Sequence, residues 1–268
     1  MNILEIKNLN FSYGEKQILK NIHLSLKQGS WNTIIGLSGT GKSTLLKMIL
    51  GLIETDASIT IDNLLLNKSN LFEIRKKIGV VFENPEFSFV TETVKDDLAF
   101  TLENMQYCSE DIKKRIKEVA ECLKITKMLN KNPHSLSGGE KQMVAFACAI
   151  IHKPKLLIFD EAFSMIDSIE RQNILKIVKK MQQEENITIL QVTHDMEECL
   201  FSDNLYVLQD GHFILQGLKE DVFKEEAKLT KIGLELPFLV NLSKKLQYYD
   251  LIDRYYYDME QLVDALWK

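Results

Sequence analysis

The chain has 268 residues, enough for one or two domains with a sizeable buried core, so it needs no disulfide or metal staple to fold. Hydrophobic residues at 45% and charged residues at 26% match soluble globular proteins and exclude disordered or fibrous chains. With 33 basic against 38 acidic residues the formal charge is −5, so no global positive field draws the protein onto nucleic acid.

From the N-terminus, Met1-Asn2-Ile3-Leu4-Glu5-Ile6-Lys7 lacks a basic segment followed by an apolar core, which reads as a cytosolic chain without a signal peptide. Residues 3–13 and 18–26 alternate as two strands, punctuated by Gly14 and Gly29. Residues 30–35 rise into an apolar strand that runs into a glycine-rich loop and a helix over 43–50, closed by Gly51. The longest uncharged run, residues 28–41, is too short and too polar to cross a bilayer. Three further apolar runs, 78–82, 155–159 and 187–192, alternate with helical patterns and predict a mostly parallel sheet covered on both faces. Between them, Ile112, Ile116, Val119 and Leu123, then Val144, Ala147 and Ile151, carry helical spacing, which makes 91–152 a helical block. Residues 1–217 thus form one α/β domain, and 218–268 a small helical appendage with five tyrosines, Tyr248, Tyr249, Tyr255, Tyr256 and Tyr257. Cys108, Cys122, Cys148 and Cys199 never fall at CxxC spacing, which predicts reduced, structural cysteines.

The sharpest chemical signal is Gly36-Leu37-Ser38-Gly39-Thr40-Gly41-Lys42-Ser43, a G-x-x-x-x-G-K-S motif between a predicted strand and a predicted helix. Its glycines let the backbone close into a nest of N–H groups for phosphate oxygens, and the helix that continues through Thr44 adds its N-terminal field. Lys42 is placed to meet the β- and γ-phosphates of a nucleotide, and Ser43 to put its hydroxyl on Mg²⁺. Such a loop needs a second acidic group at the metal and a group to activate water. Asp160 and Glu161 supply both at the end of the apolar run Leu156-Leu157-Ile158-Phe159, Asp160 toward Mg²⁺ and Glu161 as candidate general base. Ser137-Gly138-Gly139-Glu140 reads locally as a capped helix start and a second anion-binding helix end.

With Leu136-Ser137-Gly138-Gly139-Glu140-Lys141-Gln142 in place, the sequence resembles the ATP-binding cassette (ABC) family over about residues 3–217. The resemblance implies a P-loop NTPase fold of ABC type: a mostly parallel core sheet, an N-terminal antiparallel β subdomain and a helical signature subdomain. It implies that Ser137, Gly138 and Gly139 close over the nucleotide of a partner cassette, that Tyr13 stacks on adenine, and that His194 is the switch histidine at the γ-phosphate. Without the family, Tyr13 reads as packing and His194 as structural. Residues 164–167 resemble the D-loop that lines the dimer seam. Two positions depart from the pattern: Glu83 stands where the Q-loop glutamine is expected, as a third metal-site candidate, and Met143 stands where an arginine is common.

Several phrases resemble the ATPases of energy-coupling factor (ECF) transporters: Val81-Phe82-Glu83-Asn84-Pro85, Thr93-Val94-Lys95-Asp96-Asp97-Leu98-Ala99-Phe100, Pro133-His134, Asp160-Glu161-Ala162-Phe163-Ser164-Met165-Ile166-Asp167, and the C-terminal Gly233-Leu234-Glu235-Leu236-Pro237-Phe238. That likeness implies an ATPase on the cytoplasmic face of the membrane, paired with a second cassette that is more readily a paralogue than a copy of itself. It also implies an integral membrane scaffold subunit, a substrate-binding membrane subunit, and a vitamin or transition-metal ion as cargo. The ATPase of a conventional ABC importer shares every catalytic residue. A soluble ABC ATPase is disfavoured by the single cassette and the lack of basic excess.

Overall fold

The computed structural model describes residues 1–267. Strands β1 (Asn2–Tyr13) and β2 (Lys16–Lys27) form an antiparallel hairpin; β3 (Trp31–Ile35) then leads through the glycine loop into α1 (Lys42–Ile49). Strands β4 (Ser58–Ile61) and β5 (Leu64–Leu65) return to the hairpin and complete a four-stranded sheet in the order β2-β1-β4-β5. After α2 (Leu71–Arg75), β6 (Ile78–Phe82) enters the second sheet, and the chain leaves for α3 (Val94–Asn104), α4 (Ser109–Cys122) and α5 (Gly138–Ile150). It comes back as β7 (Leu156–Asp160), α6 (Ser168–Glu185), β8 (Thr188–Thr193), β9 (Asn204–Gln209) and β10 (His212–Leu218). The C-terminal region is α7 (Lys219–Lys224), α8 (Glu226–Lys231), α9 (Phe238–Tyr248) and α10 (Met259–Leu266). The second sheet has the order β10-β9-β3-β8-β7-β6, parallel except for β10.

Each pattern has a packing cause. In β2, Ile22, Leu24 and Leu26 are buried and the residues between them exposed, the two-residue period of a strand covered on one face. Every residue of β3 and β8 is buried, as central strands covered on both sides must be. In β7, Leu156 and Ile158 join the core that holds α1 between the two sheets, while Leu157 and Phe159 join the core under α5 and α6. The helical spacing read at Ile112, Ile116 and Val119 is the buried stripe of α4. Met143 packs half-buried against the same core, an apolar reason for a side chain that is not arginine. The expected ABC-type architecture is therefore present, and no helix among the described residues is long and apolar enough to cross a membrane.

The cysteines divide. Cys148 and Cys199 are buried and Cys108 and Cys122 exposed, so only the first two are core residues. The tyrosines divide as well: Tyr256 is buried and Tyr257 stacks on Phe223 at 6.0 Å, whereas Tyr248 and Tyr249 lie in solvent.

Candidate active site

Four neighbouring parallel strands end on one line. Ile35 of β3 is registered with Thr193 of β8, Val192 of β8 with Asp160 of β7, and Asp160 with Phe82 of β6. The residues that follow those strand ends are Gly36, His194, Glu161 and Glu83, so the sheet itself gathers segments remote in sequence.

The glycine loop is shaped by close approach. A Cβ on Gly36 would overlap the Leu208 carbonyl oxygen, and one on Gly41 would lie 2.9 Å from Leu19 Cδ2. Gly39 and Gly41 also hold φ of 81° and 108°, where a side chain is strained. Thr40 Oγ1 donates to the Leu37 carbonyl at 2.9 Å, while Ser38, Gly39 and Ser43 are exposed along the rim and Thr44 is half-buried. The Gly41 contact with Ile18 and Leu19 brings the β1–β2 hairpin beside the loop. At the tip of that hairpin Tyr13 is half-exposed and meets Phe11 edge to face at 4.8 Å.

Lys42 is buried, and its ammonium donates to the carbonyls of Gly36 at 2.7 Å and Leu37 at 3.0 Å. Glu161 Oε1 lies 3.7 Å from the same ammonium, and Glu161 Oε2 accepts from His194 Nδ1 at 2.9 Å. Lys42, Glu161 and His194 thus form one connected polar row. Burial holds Lys42 below the ordinary lysine range against the opposing pull of Glu161 and Asp160. Asp160 is pushed up by burial first and then by the charges of Glu161 and Glu83. Glu161 occupies a left-handed backbone conformation, φ 47°, and its N–H donates to the Val192 carbonyl at 2.9 Å. That conformation is costly for a residue with a Cβ and is fixed here by the neighbouring strand.

Ser137 caps α5 in a full capping box: its hydroxyl accepts from Glu140 N at 3.3 Å, and its N–H donates to Glu140 Oε2 at 2.9 Å. Ser137 and Gly138 are exposed, while Gly139 is covered by the Glu170 carboxylate. The same helix grips the Glu83 segment. Gln142 Nε2 donates to the Phe82 carbonyl at 3.1 Å, and Lys141 reaches Glu86 at 2.6 Å. The sequence marks Gln142 only as the end of the 136–142 segment, with no contact assigned, and does not single out Arg171, Asp195 or Glu198. Their partners lie on other elements, and the only local signals are that Asp195 adjoins His194 and Arg171 follows Asp167 by one helical turn.

A phosphate loop and a charged row at the carboxyl edge of a parallel sheet, with a glycine-rich capped helix on an inserted helical block, define an ATP-binding cassette. Residues 19–164 match the family described as ABC transporter. Over its full length the chain is 39% identical to the energy-coupling factor transporter ATP-binding protein EcfA1 of Oenococcus oeni, covering 98% of that protein. It is also 39% identical to the EcfA1 of Ligilactobacillus salivarius, with 99% and 95% of the two chains covered. Among solved structures it resembles cbiO1 of Clostridium perfringens, part of the ABC transporter complex cbiONQ, with a TM-score of 0.79 at 32% identity, over 91% of this chain and 99% of that one. It also resembles the ATP-binding cassette MJ0796, a dimer in a post-hydrolysis state bound to ADP and Pi, with a TM-score of 0.72 at 29% identity, over 80% and 98%. The chain belongs to the ABC transporter family and, within it, to the energy-coupling factor transporter ATP-binding proteins.

Proposed function

We propose that this chain is the ATP-hydrolysing subunit of an energy-coupling factor importer, and that the Lys42–Glu161–His194 row is its reaction centre. The observation that carries this reading is the pair of distances that join the row, 3.7 Å from Lys42 to Glu161 and 2.9 Å from Glu161 to His194. Residues 1–217 are the cassette and 218–268 the appendage. The chain sits at the cytoplasmic face of the membrane as a peripheral subunit. It pairs with a second cassette, a paralogue, and drives an integral scaffold subunit and a substrate-binding membrane subunit that carry a vitamin or a transition-metal ion.

Loop N–H groups from Gly36 to Ser43, with Ser38, Gly39, Thr40 and Thr44 around them, cradle the phosphates, and Tyr13 faces adenine. Lys42 exchanges its loop carbonyls for β- and γ-phosphate oxygens. The metal donors would be Ser43 and Asp160, with Glu83 at the edge. All are oxygens, the set a hard divalent ion takes, and Asp160, pushed up first by burial and then by the charges of Glu161 and Glu83, stands where a cation would relieve that repulsion. Mg²⁺ bound there supplies charge neutralisation at the β- and γ-phosphate oxygens. Glu161 orients the attacking water and takes its proton. His194 holds the Glu161 carboxylate from one side and turns toward the γ-phosphate as charge moves onto it. Ser137, Gly138 and Gly139 act in trans, closing with their helix N-terminus over the γ-phosphate held by the partner cassette.

Glu161→Gln keeps the size and removes the base, so hydrolysis falls by about 10²–10⁴-fold and the variant accumulates as an ATP-bound dimer on gel filtration. Normal turnover in that variant removes Glu161 from the role. Pull-down from detergent-solubilised membranes brings down integral subunits if the importer reading holds, and none if the chain acts alone.

A further inference from the structure

Arg171 stands in the first turn of α6, four residues beyond Asp167, whose side chain caps that helix by accepting from Ile169 N and Glu170 N at 3.0 Å each. Its guanidinium leaves α6 and crosses to the turn that follows β8. Nη1 lies 2.5 Å from Asp195 Oδ2 and 3.6 Å from Glu198 Oε1. Asp195 is built into that turn: its N–H donates to Thr193 Oγ1 at 3.0 Å, and its other carboxylate oxygen accepts from Glu197 N at 2.8 Å. Glu198 is 3% exposed, and its remaining oxygen accepts from Gln191 Nε2 at 2.5 Å. Gln191 Oε1 in turn accepts from the indole of Trp31 at 2.9 Å, so the far side of the turn is anchored to β8 and β3.

His194 sits inside this frame with 52% of its side chain exposed. With Glu161 holding Nδ1 and little packing elsewhere, the ring takes the rest of its direction from the main chain that carries it. That main chain is fixed at Asp195, and Asp195 is fixed by an arginine from the helix that begins at the 164–167 loop. We infer that Arg171 is a positioning residue for His194, which carries any displacement of the 164–167 loop and α6 into the direction of the His194 ring through the Arg171–Asp195 pair. The inference rests on the reading of His194 as the histidine that meets the γ-phosphate. A plainer role exists for the same arginine, neutralising the buried Glu198, and the two roles separate in the kinetics.

The test measures kcat, ATP KM and melting temperature for His194→Ala, Arg171→Ala and their double variant, in the full chain and the assembly it purifies with. Misplacing a catalytic group by about 1 Å costs up to ~10²-fold in rate. Arg171→Ala is therefore expected to lower kcat by about 10-fold or more, with KM within about twofold because the Lys42 loop is untouched. Residues that act as a unit are not additive, so the double variant should match His194→Ala within about twofold. Asp195→Ala leaves Arg171 beside Glu198 and should reproduce the kcat loss, which keeps the test valid if Arg171→Ala fails to fold. Arg171→Lys keeps a cation beside Glu198 and should recover melting temperature more fully than rate, since a lysine cannot reproduce the planar fork. A further drop in the double variant, a KM effect with kcat intact, or unchanged kcat in both Arg171→Ala and Asp195→Ala overturns the positioning role while leaving His194 in place. A full rate in His194→Ala overturns the reading of His194 itself and the positioning role with it.

Discussion

Gly36, Gly138 and Gly139 are glycines in two phosphate-type motifs with different physical reasons for lacking a side chain. At Gly36 a methyl group would overlap the Leu208 carbonyl oxygen, a main-chain atom of β9 that cannot step aside. At Gly139 it would overlap the Glu170 carboxylate, the far end of a flexible side chain, and at Gly138 it would meet open space. Overpacking against a fixed neighbour costs about 1–3 kcal/mol. Gly36→Ala should therefore lower the melting temperature by several degrees, Gly139→Ala by less, and Gly138→Ala not at all, a ranking that thermal melts of the three variants check. A Gly138→Ala variant that melts as low as Gly36→Ala would contradict the steric account. The sequence motif marks all three positions alike. It could not rank them, because the obstructing atoms belong to Leu208 and Glu170, which no motif connects to these glycines.

Two buried titratable groups at the ends of elements pull stability in opposite directions with pH. Burial pushes Glu198, in the turn after β8, up to about 7 from the ordinary 4.5, so the folded chain keeps its proton after the unfolded chain has released it. The stability it contributes is full below pH 4.5 and is lost as pH rises to about 7. His152, just past α5, has Nε2 donating to the Ile78 carbonyl at 3.1 Å, and burial takes it down to about 4 from 6.5. Its contribution is full above pH 6.5 and is lost as pH falls toward 4. The slopes oppose between those limits. The melting-temperature difference between wild type and Glu198→Gln should therefore move in the variant's favour from about pH 5 to pH 8, and a constant difference would remove Glu198 from this role. At this scale the sequence was legible where one face is buried, as in β2 and α4. It was not legible at β9 and β10, where the apolar run of β9 is only four residues between Asn204 and Gln209, Gln216 interrupts β10, and β10, at the sheet edge, carries no fully buried side chain. Polar partners such as Arg171 and Asp195, 24 residues apart, leave no periodic trace in a single sequence.

Across the whole molecule, the C-terminal helices share a core with the nucleotide-binding sheet. Val222, Phe223, Leu229, Leu234 and Val240 pack in one cluster with Ile35 of β3 and Leu205 and Val207 of β9. Glu197 adds a polar tie by accepting from Phe238 N, at the start of α9, at 2.6 Å. Each such side chain contributes about 1.5–3 kcal/mol by burial, so losing five of them rivals the ~5–15 kcal/mol that stabilises a whole domain. A chain ending at residue 218 should lose soluble yield and melt far below the full chain; equal melting temperatures would make the region an independent appendage. The phosphate loop was legible because phosphate chemistry tolerates few residue types there, and the ABC type because Leu136–Gln142 accompanies it, whereas the tyrosine-rich tail gave no hint that Ile35, the residue before that loop, is one of its packing partners. The row at the sheet's edge bears on motion as well. Chemistry depends on the relative displacement of Gly36, His194, Glu161 and Glu83, not on how far the edge moves as a body. Strands locked by ladder hydrogen bonds at about 4.8 Å spacing move together, so thermal fluctuation is largely common to all four positions and cancels in the distances between them. Strand neighbours act here as a filter on noise, which keeps the reacting geometry steady while the sheet itself flexes.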